Sequence, residues 1–240
     1  PTRRSSDLPI CTSIAELQQI RRIAADKSLK VGCMLDLRYS KAAETVKKLI
    51  AEGEIGKVTA LSFSGQHCLN YGVRPAWYFE EGKHGGTIND IAIHGIDLIN
   101  YVSGLRLGKI LAARTWNAFA VKEKHFKDSA QFMVTMDNGA GLIADVSYSA
   151  PNFSKTLPTY WDFYFWGLEG MINYSYCNQS VSVYKNGKSE PVIIESAPLE
   201  TGHLNELIKS INGKPSLNDT ETILNSSEDI LKIQAFADEI

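Results

Sequence analysis

The chain has 240 residues, of which 44% are hydrophobic and 22% are charged, and its formal net charge is −2. This composition is typical of a folded globular protein long enough for one large domain. The balanced charge provides no basic surface for nucleic acid and no acidic run typical of a disordered tail. No apolar stretch approaches the roughly 20 residues that a membrane-spanning helix requires.

The four cysteines are widely separated along the chain, and no two of them form a C-x-x-C pair. Their spacing argues against a zinc ribbon and against a dithiol redox motif. Scattered thiols fit a reducing compartment and predict a cytoplasmic location, with two disulfides as the alternative. The cysteines are Cys11, Cys33, Cys68 and Cys177.

The first eight residues, PTRRSSDL, differ in character from the rest of the chain and contain no initiator methionine. The string resembles the translated end of a sequencing adaptor, which predicts that Pro1–Leu8 is foreign to the protein. The alternative is a genuine basic loop. If the segment is foreign, the native protein extends further and this chain is a fragment of it.

The segment after Leu8 predicts a helix, a buried strand and a second helix. Ser13 and Glu16 form a capping-box pattern ahead of apolar residues at helical spacing, which predicts a helix over about residues 13–27. Leu29–Leu35 is a short apolar run bounded by charge and predicts a buried strand. Ser40–Glu52 predicts the second helix. This order is typical of the end of an α/β parallel-sheet unit.

From Lys57 onward the sequence becomes rich in predicted strands. They are expected over residues 58–67, 109–120, 128–137, 140–149, 160–166, 170–176, 180–185 and 190–195. Asn138-Gly139 and Asn186-Gly187 predict hairpin turns, because Asn and Gly tolerate the positive φ angles of tight turns. Consecutive hairpins imply a large, mainly antiparallel sheet. Two closing helices are expected over about residues 202–212 and 220–240.

One predicted helix, Gly85–Gly104, combines a broad apolar face with a narrow polar stripe. The apolar face contains Ile88, Ile91, Leu98, Ile99 and Val102. The stripe contains Asp90, His94, Asp97 and Tyr101, at spacings that let successive side chains touch. A helix packed on a sheet by its apolar face would direct this stripe at a cleft or at solvent. The Gly85-Gly86 pair before it allows another backbone or a ligand to come close.

The polar stripe has several possible roles. An imidazole at position 94 can accept a proton from a hydroxyl near neutral pH, and the carboxylate of Asp90 could orient it. Thr87 and Asp90 also form a capping-box pattern, so Asp90 could simply cap the helix and His94 could be solvated. Asp90, His94 and Asp97 could instead bind a metal ion. Periodicity alone favours the capping and solvated interpretation.

The sequence around this helix resembles the glucose–fructose oxidoreductase / inositol dehydrogenase / MocA (Gfo/Idh/MocA) family. The pattern Gly-Gly-x-x-x-Asp-x-x-x-His-x-x-Asp followed by Gly is matched by Gly85, Gly86, Asp90, His94, Asp97 and Gly104. Further likenesses occur in the family's order along the chain, at Pro9–Ser13, Val31-Gly32 with Arg38-Tyr39, Gly53–Val58, Arg74-Pro75-x-Trp77 and Gly167-x-Glu169-Gly170. The resemblance spans essentially residues 9–240.

The resemblance implies a fold and a division into domains. The expected fold class is α/β (α+β), with a large open sheet that carries helices on one face. Residues 9–53 would be the remnant of a dinucleotide-binding Rossmann domain. Residues 54–240 would form the substrate-binding and oligomerisation domain.

The resemblance also implies a reaction and the residues that serve it. It implies an NAD- or NADP-dependent oxidoreductase acting on a sugar or polyol hydroxyl, with Asp90 and His94 as the catalytic pair. Arg38, Arg74, Trp77 and Asp97 would contact the substrate.

Two departures from the family pattern limit this expectation. The chain has no G-x-G-x-x-G motif, so by itself it should bind the nicotinamide cofactor poorly or not at all. The family's catalytic lysine falls where this chain has Leu8, which cannot transfer a proton.

The alternative function is a non-catalytic sugar-binding or assembly module that forms a homo-oligomer through its open sheet. Trp161, Phe163 and Phe165 alternate on one strand and could supply such a surface. Core packing of these three rings against the helices is the equally weighted alternative.

Overall fold

The computed structural model describes residues 8–151, 157–196, 201–217 and 220–239. Apart from Leu8, the segment predicted to be foreign lies outside these residues. Five α-helices occur within these ranges: α1 (Ile14–Asp26), α2 (Lys41–Ala51), α3 (Ile93–Ser103), α4 (His203–Ile211) and α5 (Thr220–Asp238). Short 3₁₀ helices occupy Asp36–Arg38 and Ala76–Phe79, and a π-helical turn occupies Ile88–Ala92.

Eight strands form a single sheet within the described ranges. They are β1 (Val58–Gln66), β2 (Leu107–Trp116), β3 (Ser129–Met136), β4 (Gly141–Ser147), β5 (Asp162–Gly167), β6 (Gly170–Ser175), β7 (Ser180–Lys185) and β8 (Val192–Glu195). Their spatial order is β2-β3-β4-β1-β5-β6-β7-β8. β1 runs parallel to β4, and every other neighbouring pair is antiparallel. The predicted open, mainly antiparallel sheet is confirmed.

Within the described residues, the sheet carries its helices on one face, and the other face is exposed. α2 contacts β6 and β7, α3 contacts β1, and α5 contacts β2. Gly95 lets α3 lie close to the sheet, because a Cβ atom there would overlap the ring of Phe63 on β1. Trp161, Phe163 and Phe165 are buried on the helix side. They therefore belong to the core, and the interpretation of these rings as an association surface is wrong.

The hairpin turns follow the predicted glycines. Gly139 joins β3 to β4 with a φ of 87°, and Gly187 joins β7 to β8 with a φ of 74°. Residues with side chains rarely adopt these left-handed angles, so the Asn-Gly pairs fix where each strand ends.

The helix that begins near Ser13 forms as predicted. The Ser13 side chain accepts a hydrogen bond from the backbone N–H of Glu16 at 3.2 Å. Glu16 in turn accepts from the backbone N–H of Thr12 at 2.8 Å, one residue before the position that a capping box uses.

The strand expected over Leu29–Leu35 does not form, so that prediction is wrong. A strand needs a hydrogen-bonded neighbour, and none of the described strands pairs with this segment. Cys33 and Leu35 are buried in the main core without a ladder of backbone hydrogen bonds. The apolar run therefore indicated burial correctly but not strand geometry.

Buried side chains from both sides of the expected boundary between residues 53 and 54 belong to the same core. The division into a remnant over 9–53 and a domain over 54–240 stays a prediction. No helix in the described part of the chain has both the length and the apolar composition needed to cross a bilayer.

Candidate functional site

The predicted helix Gly85–Gly104 begins with a π-helical turn, Ile88–Ala92, that leads into α3. Gly104 ends α3 with a left-handed φ of 71°, as its place at the end of the pattern predicts. Single π turns are rare, and those within helices occur frequently at functional sites. This turn contains Asp90, which makes the start of the helix the strongest candidate for chemistry.

The π turn is capped from another part of the chain rather than by its own side chains. The side-chain oxygen of Gln234, on α5, accepts hydrogen bonds from the backbone N–H groups of Ile88 at 3.0 Å and Asn89 at 3.3 Å. The Gln234 amide lies against Gly86, whose φ is 94° and where a Cβ atom would overlap it. The missing side chain at Gly86 therefore leaves room for the Gln234 side chain of the same chain.

The capping box expected from Thr87 and Asp90 is wrong. The Thr87 hydroxyl donates to the backbone carbonyl of Lys127, and the Asp90 carboxylate bonds side chains on other elements. Because Gln234 already satisfies the first N–H groups, Asp90 is available for another role.

Asp90 accepts hydrogen bonds from two buried tyrosines and lies beside a histidine. The Tyr78 hydroxyl donates to Oδ2 of Asp90 at 2.9 Å, and the Tyr148 hydroxyl donates to the same oxygen. Nε2 of His84 lies 3.4 Å from it. The Asp90 side chain retains 17% of its surface exposed, so it can still meet a ligand.

Two opposing effects set the pKa of Asp90. Burial raises this pKa. Hydrogen bonds from His84, Tyr148 and Tyr78, together with the electrostatic attraction of His84, lower it by more than burial raises it. The net direction is downward, so Asp90 is ionised at neutral pH.

His94 lies on α3, one helical turn beyond Asp90, as the spacing of the two residues in the sequence predicts. Its ring is 5.7 Å from the indole of Trp161. Burial lowers the pKa of His94, and the carboxylates of Asp90, Asp97 and Asp36 only partly oppose this effect. The imidazole is therefore neutral at neutral pH, which is the form that accepts a proton.

A second histidine, His67, contacts the same indole. Its ring lies 5.3 Å from Trp161 and 4.9 Å from Tyr160, and no described group bonds its buried Nε2. Burial, with a smaller contribution from His94, lowers the pKa of His67 to about 4. Trp161 has a φ of 60°, an unusual angle for so bulky a residue. Such backbone strain is frequent at active sites.

Arg38 and Asp97 form a buried ion pair with each other. Nε of Arg38 donates to Asp97 at 2.7 Å and NH2 bonds the second carboxylate oxygen, while both side chains are at most 1% exposed. Ser226 donates to Asp97 at 2.9 Å, and Arg38 also donates to the Leu217 carbonyl at 3.0 Å. These bonds connect α3 to α5 and to the 3₁₀ turn at Arg38. The substrate-binding role of Arg38 and Asp97 stays a prediction.

Arg74 and Trp77 lie next to the tyrosines that bond Asp90. The Arg74 guanidinium lies 4.6 Å from the ring centre of Tyr78, and the Trp77 ring lies 5.3 Å from it. Trp77 is 48% exposed. Both residues are placed where they could meet a ligand at Asp90, and their substrate-binding role stays a prediction.

The polar stripe therefore divides into two parts. Asp90 and His94 lie near the tyrosines and Trp161, whereas Asp97 pairs with Arg38 and Tyr101 lies 4.0 Å from Nζ of Lys47. Across the described ranges, no three His, Cys, Asp or Glu side chains are grouped as a metal site would require.

Four residues of the site were not expected from the sequence: His67, Tyr78, His84 and Tyr148. Tyr78 and His84 lie in the loop over residues 68–84 before the helix, called the aromatic loop below, and Tyr148 follows β4. The sequence of this loop is rich in aromatic residues, which is a signal for Tyr78, but no local signal indicates the strand pairing that brings Tyr148 to Asp90.

The family model described as the GFO/IDH/MocA C-terminal domain matches residues 43–173. The chain belongs to the Gfo/Idh/MocA family. The match crosses the expected domain boundary at residue 53 and contains Asp90, His94 and the tyrosines that bond Asp90. No curated protein matches the chain in sequence.

Solved structures show the same fold. A candidate oxidoreductase from Thermotoga maritima is 23% identical with a TM-score of 0.82, over 96% of this chain and 68% of that one. An inositol dehydrogenase homolog from Azotobacter vinelandii, complexed with NADH and myo-inositol, is 15% identical with a TM-score of 0.74, over 96% and 68%. An Agrobacterium radiobacter oxidoreductase in complex with NAD⁺, L-tartaric acid and magnesium is 19% identical with a TM-score of 0.72, over 93% and 67%.

The buried ion pair generates a stability prediction. Asp97→Asn leaves the Arg38 charge buried without a counter-ion, so the free energy of unfolding should fall by about 3–5 kcal/mol in urea denaturation. The control is Glu52→Gln, which breaks the exposed Lys48–Glu52 pair and should cost at most about 1 kcal/mol. Equal losses in the two variants would contradict the role assigned to the buried pair.

Proposed function

We propose that this chain is the substrate-binding part of an NAD- or NADP-dependent oxidoreductase that acts on a sugar or polyol hydroxyl. The observation that carries the proposal is the state of two neighbouring groups at the start of α3. Asp90 is held ionised by three side chains, and His94 is held neutral beside Trp161. A neutral base next to a fixed carboxylate is suited to removing the proton of an alcohol.

In this reaction the hydride is accepted by a nicotinamide cofactor, and the described residues do not form a binding site for that cofactor. The Gly85-Gly86 pair lies against Thr12 and Gln234 of this chain, so it offers no cradle for a phosphate. A bound nicotinamide would supply the hydride acceptor. The residues of this chain orient the alcohol, accept its proton at His94 and stabilise the resulting charge through Asp90.

The substrate class is supported by the chemistry of the structural relatives. The Azotobacter vinelandii homolog holds myo-inositol, and an aldose-aldose oxidoreductase from Caulobacter crescentus was solved with glycerol. We therefore propose a polyhydroxy substrate, with Arg74 and Trp77 as its first contacts beyond Asp90 and His94.

The test of catalysis uses His94→Ala in the complete enzyme that contains this chain. The variant should lower kcat/KM by about 10²- to 10⁴-fold with NAD or NADP and a panel of inositols and aldoses, because a general base is lost. His125→Ala removes an exposed imidazole outside the site and should leave turnover unchanged. Full turnover by His94→Ala would remove His94 from the mechanism. Sugar binding without turnover by the wild-type protein would favour the non-catalytic module instead.

We also propose that the uncovered face of the sheet forms a homo-oligomer. Five large apolar side chains on this face are solvent-exposed, and they are distributed over five strands of the sheet: Met133, Ile143, Trp166, Tyr184 and Ile193. Exposed apolar patches of this kind are typical of association surfaces.

The oligomer proposal predicts that Ile143→Lys dissociates the assembly, because a charge would be placed within the apolar face. Ile143 is 58% exposed and lies on β4 directly beside Met133 of β3. Ile211→Lys, on the surface of α4, is the matched control and should leave the assembly intact. The molar mass from light scattering distinguishes the two. A monomeric wild-type protein, or an unaffected Ile143→Lys variant, would overturn the proposal.

A further inference from the structure

The hydrogen bonds to Asp90 are unevenly divided between its two oxygens. Tyr78, Tyr148 and His84 all converge on Oδ2. No residue in the described ranges donates a hydrogen bond to Oδ1 of Asp90. Since a carboxylate oxygen seeks donors, Oδ1 is the atom left for a bound ligand.

Tyr148 is the centre of the group of side chains around Oδ2. Its hydroxyl oxygen lies 2.7 Å from that of Tyr78 and 3.1 Å from Nε2 of His84, besides bonding Asp90. The residue is 1% exposed, and its ring packs 5.4 Å from that of Phe126. In such an apolar setting each hydrogen bond is strengthened, and each missing partner is costly.

Each tyrosine hydroxyl has one proton, and both protons are directed to Asp90, so the 2.7 Å contact between the two hydroxyl oxygens has no proton of its own. An ionised carboxylate can only accept, so the single proton of the Tyr148 hydroxyl is directed to Asp90. The Tyr148 oxygen can then only accept from His84, which requires a proton on Nε2 of that imidazole. The arrangement therefore excludes the form of His84 that carries a proton only on Nδ1, and it favours one orientation of Asp90.

We propose that Tyr148 is a positioning residue, which holds Oδ2 of Asp90 and Nε2–H of His84 so that Oδ1 stays turned toward the substrate. The inference rests on the proposed function for its substrate. Its structural content, the bonding of Oδ2 and the protonated nitrogen of His84, does not depend on any reaction.

Several titratable or charged groups face Asp90 from the elements packed against it. They are His84 and Tyr78 from the aromatic loop, Tyr148 after β4, His67 after β1, His94 on α3, and Arg74 behind Tyr78. Among these, the hydrogen bonds of His84, Tyr148 and Tyr78 keep the pKa of Asp90 below its usual value.

The experiment is NMR of the 240-residue chain with ¹³C-labelled Asp and ¹⁵N-labelled His. In the wild-type protein the His84 signals should show a proton on Nε2, a result that needs no variant. In Tyr148→Phe the pKa of Asp90 should rise, because one donor to its charged form is lost, and the His84 signals should shift. A His84 imidazole protonated only on Nδ1 would overturn the proposal, as would an unchanged Asp90 titration in Tyr148→Phe.

The matched control is Tyr174→Phe. Tyr174 is also a buried tyrosine, and its hydroxyl bonds Ser40 at 3.1 Å instead of Asp90. The Tyr174→Phe variant should be less stable than the wild-type protein, but the pKa of Asp90 and the NMR signals of His84 should stay unchanged. In the complete enzyme Tyr148→Phe should lower kcat about 10- to 100-fold, the effect expected for one hydrogen bond to a charged group. Because the NMR results need neither cofactor nor substrate, a lack of polyol turnover would count against the proposed function and leave this inference standing.

Discussion

The carboxylate of Asp90 is enclosed largely by aromatic rings, and a charge in that setting persists only if it is given donors. Tyr78, Tyr148 and His84 supply them, and each comes from outside the helix that carries Asp90. Two parts of the fold bring these donors to Asp90. The aromatic loop folds over the start of α3, and the end of β4 is brought to it by pairing with β1 and β3.

The backbone at Asp90 depends on a second long-range contact. The Gln234 amide takes the first N–H groups of the π turn, and Gly86 makes room for it. α5 therefore supports the site without contributing a reactive group. The Arg38–Asp97 pair ties a later turn of α3 to the 3₁₀ turn at Arg38.

Sequence patterns predicted the sheet well, because several strands alternate between buried and exposed residues, as β3, β4, β5 and β7 do, and two hairpins turn at a local signal such as Asn138-Gly139. They predicted the positions of Asp90 and His94 through the family resemblance, since the two lie on one short motif. They failed where the deciding partner is remote. Leu29–Leu35 has the composition of a strand but no neighbour to pair with, and the cap of the π turn lies on α5, far along the chain. Tyr148 gave no local signal, because its role appears only when β4 is placed beside the helix.

The function proposed for Asp90 and His94 requires a hydroxyl ligand to bind beside them, near Trp161. The direct test is a titration of the ¹⁵N-histidine-labelled chain with myo-inositol and with glycerol, followed by NMR. The NMR signals of the ring nitrogens of His94 and His67 should shift with ligand concentration, while those of the exposed His125 should stay constant. Saturable binding that leaves His94 and His67 unchanged would contradict it.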